Sequence, residues 1–393
     1  MTTIRSAVCI RCPPRWLLLR VETDDGEIGW GEAIGDLHEE VEKALNAIGE
    51  RVQGSSIHDI TRTIEIQRKA RFWRDGPVLE TALSALEMAL WDLKGKQFGA
   101  PVHELLGGRV RERVRVYRNL WGRTPAEFAD SAKEAISQSM NAVKVSPAGP
   151  TPDITSRAML SGMIEIVQTV RDAVGPNVDL AVDLHGRMTP AASRRAIHAL
   201  APLDPFFIEE PCLPDGSASH IADLRALRTA QPIAIATGER LRSAHAFAQH
   251  LLPSPVVDII QPDLSMVGGI RAALEIGAMA EAAQVSMAPH CPYGPIQFAA
   301  SMQVAAASPA HLIQEFQSLG GAGSGGGTPG GGQNWAFDLL ENPFSIEHGH
   351  VAVSTNAGLG IQVLEERIEE HMDMWNPHPP TVWTHADGSH AEW

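Results

Sequence analysis

The sequence is poor in positive charge. Its 393 residues include 32 Lys and Arg against 47 Asp and Glu, which gives a net charge of −15. Binding to nucleic-acid phosphates needs a concentrated positive surface, and this composition does not offer one. We therefore expect no nucleic-acid partner. An anionic substrate would need a cation in its binding site.

Cysteines and long apolar runs are also scarce. Four cysteines are too few and too scattered for a disulfide framework in a chain of this length. Cys9 and Cys12 form a CxxC, but positions three apart on a strand face opposite sides, which disfavours redox or zinc chemistry. No apolar run could span a bilayer, and the first residues lack the apolar core of a secretory signal. We expect a cytoplasmic protein without a membrane partner.

Residues 1–112 predict an α+β domain. Two strand-like runs, 16–23 and 27–32, flank an Asp-Asp-Gly turn signal, which favours an antiparallel hairpin. Helical stretches come next, and the one at 78–98 has leucines at three- and four-residue spacing. The chain beyond residue 112 has a different pattern, which indicates a second domain.

Residues 113–349 repeat one unit, an apolar strand-like run that ends in an ionisable residue and is followed by a helix-like segment. Successive terminal groups are 24 to 30 residues apart, which is room for a strand, a helix and two loops. Such units predict a parallel β/α barrel with its site at the carboxyl ends of the strands. The terminal groups are Asp183, Glu209, Glu239, Asp263, His290 and Glu315.

Two further charged or polar residues lie in or beside apolar strands. Lys144 falls in the expected second barrel strand, 141–146, where its ammonium group needs an anion or a cavity; a lysine that extends to the surface is the alternative. Asp183 and His185 are two residues apart, so on an extended strand both side chains should point to one face. A helix-capping Asp and a core His are the structural alternatives.

Three of the terminal carboxylates predict a metal site. Asp183, Glu209 and Glu239 end consecutive units and could converge on one cation. An all-carboxylate set without cysteine or histidine favours Mg²⁺ over zinc, whereas salt bridges or helix caps are the structural interpretation. Glu210 directly succeeds Glu209, so on a strand it should point the other way, and we interpret it as structural.

The two histidines predict acid–base chemistry beside this metal. Asp263 precedes His290 by one strand and could accept its ring proton, which would raise the basicity of the imidazole. His185 would approach a bound substrate from the opposite side of the barrel. A metal that stabilises an enediolate, with a base and an acid nearby, is a site for abstracting a proton next to a carboxylate.

The motifs VDLHGR, FIEEP, ATGER, QPDLS, APHCPYGP and QEF, in this order, resemble the enolase superfamily and within it the D-galactonate dehydratases. The likeness extends to PPRW, ETDDGEIGWGE, ALWDLKGK, GLGI and the terminal AEW. It implies an α+β capping domain over a modified TIM barrel. It also implies Mg²⁺-dependent dehydration of a sugar acid to a 2-keto-3-deoxy acid.

The resemblance also assigns residue roles. It implies that Asp183, Glu209 and Glu239 bind Mg²⁺. It implies that His290, paired with Asp263, takes the C2 proton and that His185 protonates the departing 3-hydroxyl. Lys144 and Glu315 are then the candidate substrate-binding residues. We further expect residues 350–393 to complete the capping domain and the chain to form a homo-oligomer.

The sequence departs from the family pattern at several positions. Many relatives carry a second strand-two lysine where this chain has Ser146, which weakens the interpretation as a lysine-dependent racemase or cycloisomerase. The loop 33–38 does not match the galactonate enzymes well. The glycine-rich segment 320–333 is also foreign to them, and we interpret it either as a mobile lid or as a tolerated surface insertion. A racemase, an epimerase or another enolate-forming enzyme acting on a 2-hydroxy acid remains the alternative. The tail 377–393 has no assigned place.

Overall fold

The computed structural model of the protein describes residues 2–214, 217–230, 232–316, 339–377 and 381–392. The glycine-rich segment 320–333 lies outside these ranges. Within them, no helix combines the length and the apolar character that a membrane crossing requires.

The first domain is a small antiparallel sheet covered by helices. Its strands pair in the order β1–β2–β3, and the predicted hairpin between β2 and β3 is confirmed. The sheet packs so closely on α3 that a Cβ added at Gly31 would lie 1.8 Å from the Ala85 carbonyl oxygen. The elements are β1 (Ile4–Cys12), β2 (Trp16–Thr23), β3 (Ile28–Ala33), α1 (His38–Val52), α2 (Ile60–Lys69), α3 (Pro77–Phe98) and the short α4 (Val102–Leu105).

The second domain alternates strands and helices, as the sequence predicts. Its strands are β4 (Arg113–Asn119), β5 (Ala142–Val145), β6 (Asp179–Asp183), β7 (Ile208–Glu209), β8 (Ile235–Thr237), β9 (Ile259–Ile260), β10 (Ser286–Met287) and β11 (Gln314–Phe316). Its helices are α5 (Pro125–Ser137), α6 (Arg157–Val174), α7 (Pro190–Leu200), α8 (Ala218–Thr229), α9 (Ala244–Leu251), α10 (Gly269–Ala282) and α11 (Pro295–Ala307).

The strands β4 to β11 form a ring. They lie side by side in chain order, all parallel, and β11 returns to pair with β4. The gap between β10 and β11 is closed by backbone hydrogen bonds: Leu312 N–H donates to Met287 O (2.8 Å), and Met287 N–H donates to Ala310 O (2.9 Å). The predicted barrel is therefore confirmed, and the carboxyl ends of its strands meet at one face.

Most of the barrel helices begin in the same way. A Ser or Thr side chain at the N-cap accepts a hydrogen bond from the backbone N–H three residues later in α5, α6, α7, α8 and α9. Helices α10 and α11 have Gly268 and Gly294 at the N-cap position and therefore lack such a side-chain cap. Their first N–H groups meet carboxylates from the first domain, Glu87 and Glu32 respectively.

One expectation for the C-terminal part is wrong. The strand His350–Ala352 does not join the first domain but pairs antiparallel with β4, the first barrel strand. The first residues of β4 extend beyond its pairing with β11, which leaves an edge for the returning chain that the sequence does not reveal. The chain beyond this strand does reach the first domain: Leu359 N–H donates to Asp92 Oδ1 (2.8 Å), and Arg20 pairs with Glu365.

The tail then turns to the barrel. Its two-stranded hairpin, Trp383–Thr384 with His390–Ala391, lies beside the loops that come after β6 and β8. The Arg187 guanidinium is 4.5 Å from the Trp383 ring centroid, and Arg240 Nη1 is 3.6 Å from Glu392 Oε1. This part of the tail covers the barrel's loops rather than completing the first domain.

Candidate active site

Lys144 lies at the centre of a buried charged cluster. It is on β5 and is only 4% exposed. Its Nζ lies 2.5 Å from Glu209 Oε1 and 3.2 Å from Glu315 Oε1. Glu209 ends β7 and Glu315 lies within β11, so the ring brings three separate strands to one point. The lysine does not extend to the surface.

The cluster continues through neutral side chains at strand ends. Gln261 Nε2 donates to Glu209 Oε2 (2.8 Å), and Asn119 Nδ2 donates to Glu315 Oε1 (2.6 Å). Neither residue is among the candidates predicted from the sequence, because those candidates include only ionisable residues at strand ends. Asn119 ends β4 and Gln261 directly follows β9, so including neutral polar residues would have found both. The backbone N–H of Cys291 also donates to Glu315 Oε2 (2.6 Å).

Asp183 ends β6, as the sequence predicts, but His185 is not on an extended strand. The strand stops at Asp183, and His185 has a left-handed φ of 56°. Its backbone N–H turns back to donate to Asp183 Oδ1 (2.6 Å), while Ser146 Oγ donates to Asp183 Oδ2 (3.1 Å). The prediction that strand alternation directs His185 is therefore wrong, because a tight turn sets its direction.

Glu239 reaches the site from a bend after β8. Gly238 has a φ of 143°, and a Cβ there would lie 2.8 Å from the Phe247 ring and 2.9 Å from Gln261 N. Only glycine fits this backbone position. Glu239 Oε2 then lies 3.4 Å from His290 Nε2.

His290 and Asp263 form the predicted pair. His290 Nδ1 lies 2.8 Å from Asp263 Oδ2, and Asp263 is 1% exposed. Asp263 Oδ1 accepts further hydrogen bonds from Ser265 N–H and Gln297 Nε2, both at 2.7 Å. With a carboxylate on Nδ1, the ring presents Nε2 toward Glu239 as its second polar atom. The Tyr293 ring packs edge-on against the imidazole, 6.2 Å between centroids.

Glu210 is held apart from the cluster. It has a φ of 39° and is fully buried, and its Oε1 accepts hydrogen bonds from Thr237 Oγ1 (2.6 Å) and Gly238 N–H (2.8 Å). These contacts fix the bend before Glu239. Burial, followed by the charge of Glu239, raises the pKa of Glu210 to about 8.

The cluster has an excess of negative charge in a buried place. Burial, together with the charges of Asp183, Glu315 and Glu239, raises the pKa of Glu209 to about 8 against the opposing effect of Lys144. Burial also opposes ionisation of Glu315, but Lys144 and His290 outweigh it and lower its pKa to about 2. The same carboxylates raise the pKa of Lys144 well above its usual value despite burial.

The same negative charges act on His290. Burial lowers its pKa, but Glu239, Glu315 and the hydrogen-bonded Asp263 raise it to about 10. Burial raises the pKa of Asp263, while His290 opposes that shift. The net effect is that the surrounding carboxylates hold His290 in its protonated form.

Within the described parts of the chain, no three His, Cys, Asp or Glu side chains are gathered closely enough to enclose a metal ion as they stand. The predicted ligands face protein donors instead: Glu209 contacts Lys144, and Glu239 contacts His290. The donor chemistry nevertheless fits a hard dication. Asp183, Glu209 and Glu239 offer carboxylate oxygens, and their mutual repulsion is what a bound dication relieves.

Comparison with known proteins agrees with this architecture. Residues 4–107 match the mandelate racemase / muconate lactonizing enzyme N-terminal domain, and residues 127–367 match the enolase C-terminal domain-like family. The chain is 37% identical over 390 residues to a D-galactonate dehydratase of Verminephrobacter eiseniae, covering 98% of each chain. It has the same identity over 388 residues to the Variovorax paradoxus D-galactonate dehydratase, with the same coverage.

Solved structures show the same fold. A mandelate racemase/muconate lactonizing enzyme from Sulfitobacter sp. superimposes with a TM-score of 0.84 at 31% identity, over 94% of this chain and 96% of the other. An enolase from Agrobacterium radiobacter with bound Na and L-malate gives 0.88 at 27% identity, over 99% of both chains. The chain therefore belongs to the enolase superfamily and, within it, to the mandelate racemase / muconate lactonizing enzyme family.

Proposed function

We propose that this protein is a Mg²⁺-dependent hydro-lyase that converts a sugar acid, D-galactonate or a close relative, to a 2-keto-3-deoxy acid. Relatives that are D-galactonate dehydratases match it along almost the whole chain. The observation that carries the proposal is the pair of His290 with the buried Asp263, which faces Glu239 next to a carboxylate cluster at the ends of neighbouring strands. This arrangement suits removal of a proton next to a carboxylate.

His290 is the proposed base. Asp263 fixes Nδ1, so Nε2 accepts the C2 proton and the resulting imidazolium is stabilised by the carboxylate behind it. Mg²⁺ on Asp183, Glu209 and Glu239 would supply charge to stabilise the enediolate. Among the charges that raise the pKa of His290, that of Glu239 has the largest effect. A dication that neutralises Glu239 would therefore also favour the unprotonated imidazole.

His185 is the proposed acid. Breaking the C2–H bond leaves an enediolate, and expulsion of the 3-hydroxyl then breaks the C3–O bond. Hydroxide is a poor leaving group, so a proton from His185 lets it depart as water, and the enol tautomerises to the 2-keto acid. His185 is tied by its backbone to Asp183, which supports a position beside the proposed metal.

Lys144 and Glu315 are proposed to orient the substrate carboxylate and the cluster around it. Both are almost fully buried, and Lys144 contacts Glu209 as well as Glu315. A compact ammonium group between two carboxylates fixes their positions and reduces the excess negative charge of the cluster. The proposed Mg²⁺ would supply the further positive charge that an anionic substrate needs in a protein with a net charge of −15.

A library of sugar acids, incubated with the protein and Mg²⁺ and scored for 2-keto-3-deoxy products, tests this function. We expect product from at least one aldonate, no product after chelation, and no product from Glu239→Gln at unchanged thermal stability. Undiminished turnover in chelator or in that variant would contradict the metal assignment.

Racemisation or epimerisation is the second candidate, since His185 and His290 could also exchange a proton at C2 from two faces. The His185→Asn variant separates the two reactions. For a dehydratase, we expect loss of keto acid while exchange of the C2 proton with solvent deuterium continues. A wild-type enzyme that yields only the C2 epimer would defeat the elimination mechanism.

A further inference from the structure

A closed ring of four buried residues joins the first domain to the proposed base. Glu32, Ser265, Asp263 and Gln297 are each at most 1% exposed. Ser265 Oγ donates to the Glu32 carbonyl oxygen (3.2 Å), and Ser265 N–H donates to Asp263 Oδ1 (2.7 Å). Gln297 Nε2 also donates to Asp263 Oδ1 (2.7 Å), and Gln297 N–H donates to Glu32 Oε2 (2.9 Å).

The Asp263 end of the ring determines how the carboxylate is held. Its Oδ1 accepts two hydrogen bonds, one from a backbone N–H and one from the Gln297 amide, which leaves Oδ2 for His290 Nδ1. Rotation of the carboxylate would break both. The two donors therefore fix Oδ2 against the imidazole and favour the ionised form of Asp263.

The Glu32 end replaces the missing cap of α11. Gly294 offers no side chain to the first turn of this helix, so its backbone N–H groups at Gly294 and Gln297 donate to the Glu32 carboxylate. Burial raises the pKa of Glu32 to about 7, against these backbone hydrogen bonds. A residue of the first domain thus positions the helix turn that carries Gln297.

The Gln297 amide nitrogen faces two acceptors, Asp263 Oδ1 at 2.7 Å and the His290 carbonyl oxygen at 3.4 Å. Within the described residues, the buried Oε1 of Gln297 has no hydrogen-bond partner. Leaving a buried carbonyl unpaired is unfavourable. Rotating the amide would place Oε1 against Asp263 Oδ1, where two acceptors repel each other. The donor contacts, of which the one with Asp263 is the shorter, therefore outweigh the unsatisfied oxygen.

We propose that Gln297 is a positioning residue for the His290–Asp263 base, held in place through Glu32 of the first domain. Gln297 acts on the substrate only through Asp263 and His290. The proposal rests on the proposed function for its kinetic consequence, but not for its effect on the imidazole itself.

The test compares two buried glutamines of α11. Gln297→Met keeps the length of the side chain and removes the donor to Asp263. Gln303→Met is the matched control: Gln303 is 1% exposed and its amide contacts His103 N–H and the Leu359 carbonyl, away from the base. We expect kcat of Gln297→Met to fall about tenfold or more, as for other residues that orient a reacting group, with KM within about twofold. Gln303→Met should keep the wild-type kcat at a similar loss of thermal stability.

A spectroscopic readout tests the proposal without turnover. In the metal-free protein, the His290 ring signal, identified by its absence in His290→Asn, should show an Nδ1–H signal protected by the hydrogen bond to Asp263. Gln297→Met should shift or broaden that signal, and Gln303→Met should not. If wild type forms no keto acid from any sugar acid, the proposed function fails while this comparison still decides the positioning role.

Ser265→Ala provides a second variant in case Gln297→Met does not fold. It removes the hydroxyl contact to Glu32 but keeps the backbone donor to Asp263, so it loosens the other side of the same ring. We expect a smaller loss of kcat, about threefold to tenfold, again at constant KM. Wild-type kcat and an unchanged His290 signal in whichever of these variants folds would overturn the proposal.

Discussion

Individual buried charges in this protein are balanced by one or two specific partners, and Lys144 is the clearest case. Its ammonium group is the cation in contact with both Glu209 and Glu315, and all three side chains are at most 5% exposed. Removing one member of a buried ion pair leaves an uncompensated charge, which costs far more than the loss of an exposed pair. We therefore expect Lys144 to stabilise the fold in addition to its proposed role in the site.

Lys144→Met tests this balance. We expect a loss of about 3–5 kcal/mol in the free energy of unfolding, measured by urea denaturation of the metal-free protein. Lys133→Met is the control, because Lys133 pairs with Asp130 at the surface and should change stability by less than about 1 kcal/mol. Equal losses for the two variants would show that the Lys144 cluster is not a stabilising unit.

The base itself is tested by His290→Asn and Asp263→Asn. His290→Asn should abolish exchange of the substrate C2 proton with solvent deuterium, because Ser146 occupies the position where a lysine base would stand. Asp263→Asn keeps the imidazole and alters only its partner, so the exchange rate should fall less. Exchange at the wild-type rate in His290→Asn, followed by NMR, would mean that the base is another residue.

At the scale of secondary structure, the sequence predicts the elements and the strand-end chemistry but not the turns between them. It locates the helix at 78–98 to within a residue of α3, because apolar periodicity is a local signal. It does not predict the turn at His185, since a positive φ is uncommon at non-glycine residues and the local sequence signal for it is weak. Gln297 and Glu32 escape prediction because their contact joins residues 265 positions apart.

The start of α10 shows a similar long-range contact. Glu87 on α3 accepts hydrogen bonds from the backbone N–H groups of Ile270 and Arg271, which replaces a side-chain cap at Gly268. Burial raises the pKa of Glu87 to about 7, against these hydrogen bonds. The folded protein therefore binds a proton at Glu87 in a pH range where the unfolded chain does not.

Glu87→Gln tests this linkage. A carboxyl group whose pKa rises on folding adds stability below its ordinary pKa of 4.5, and this contribution is lost as pH rises to about 7. Wild type should thus lose up to about 3 kcal/mol relative to Glu87→Gln between pH 5 and pH 8, measured by urea denaturation. Glu275→Gln, at an exposed position of α10, should show no such trend. A stability difference that does not change with pH would contradict the shifted pKa of Glu87.

At the scale of the whole molecule, the two domains share one of the buried apolar clusters. Trp16, Trp30 and Met88 of the first domain belong to the same buried apolar cluster as Ile296 and Phe298 of α11. Glu32 and Glu87 extend from the first domain to the first turns of two barrel helices. Separating the domains would expose apolar surface and leave four or more backbone N–H groups without their acceptors.

We therefore expect the protein to unfold in one transition. Calorimetry should show a single peak, and the tryptophan signal, which includes Trp16 and Trp30 of the first domain, should change at the same temperature as the helix signal. Glu32→Gln should move the whole transition down by about 2 °C or more, because the barrel loses the cap of α11 together with the domain contact. Two resolved peaks in wild type, or a Glu32→Gln variant in which the tryptophan signal alone shifts, would show that the domains fold independently and that the contact at Glu32 does not couple them.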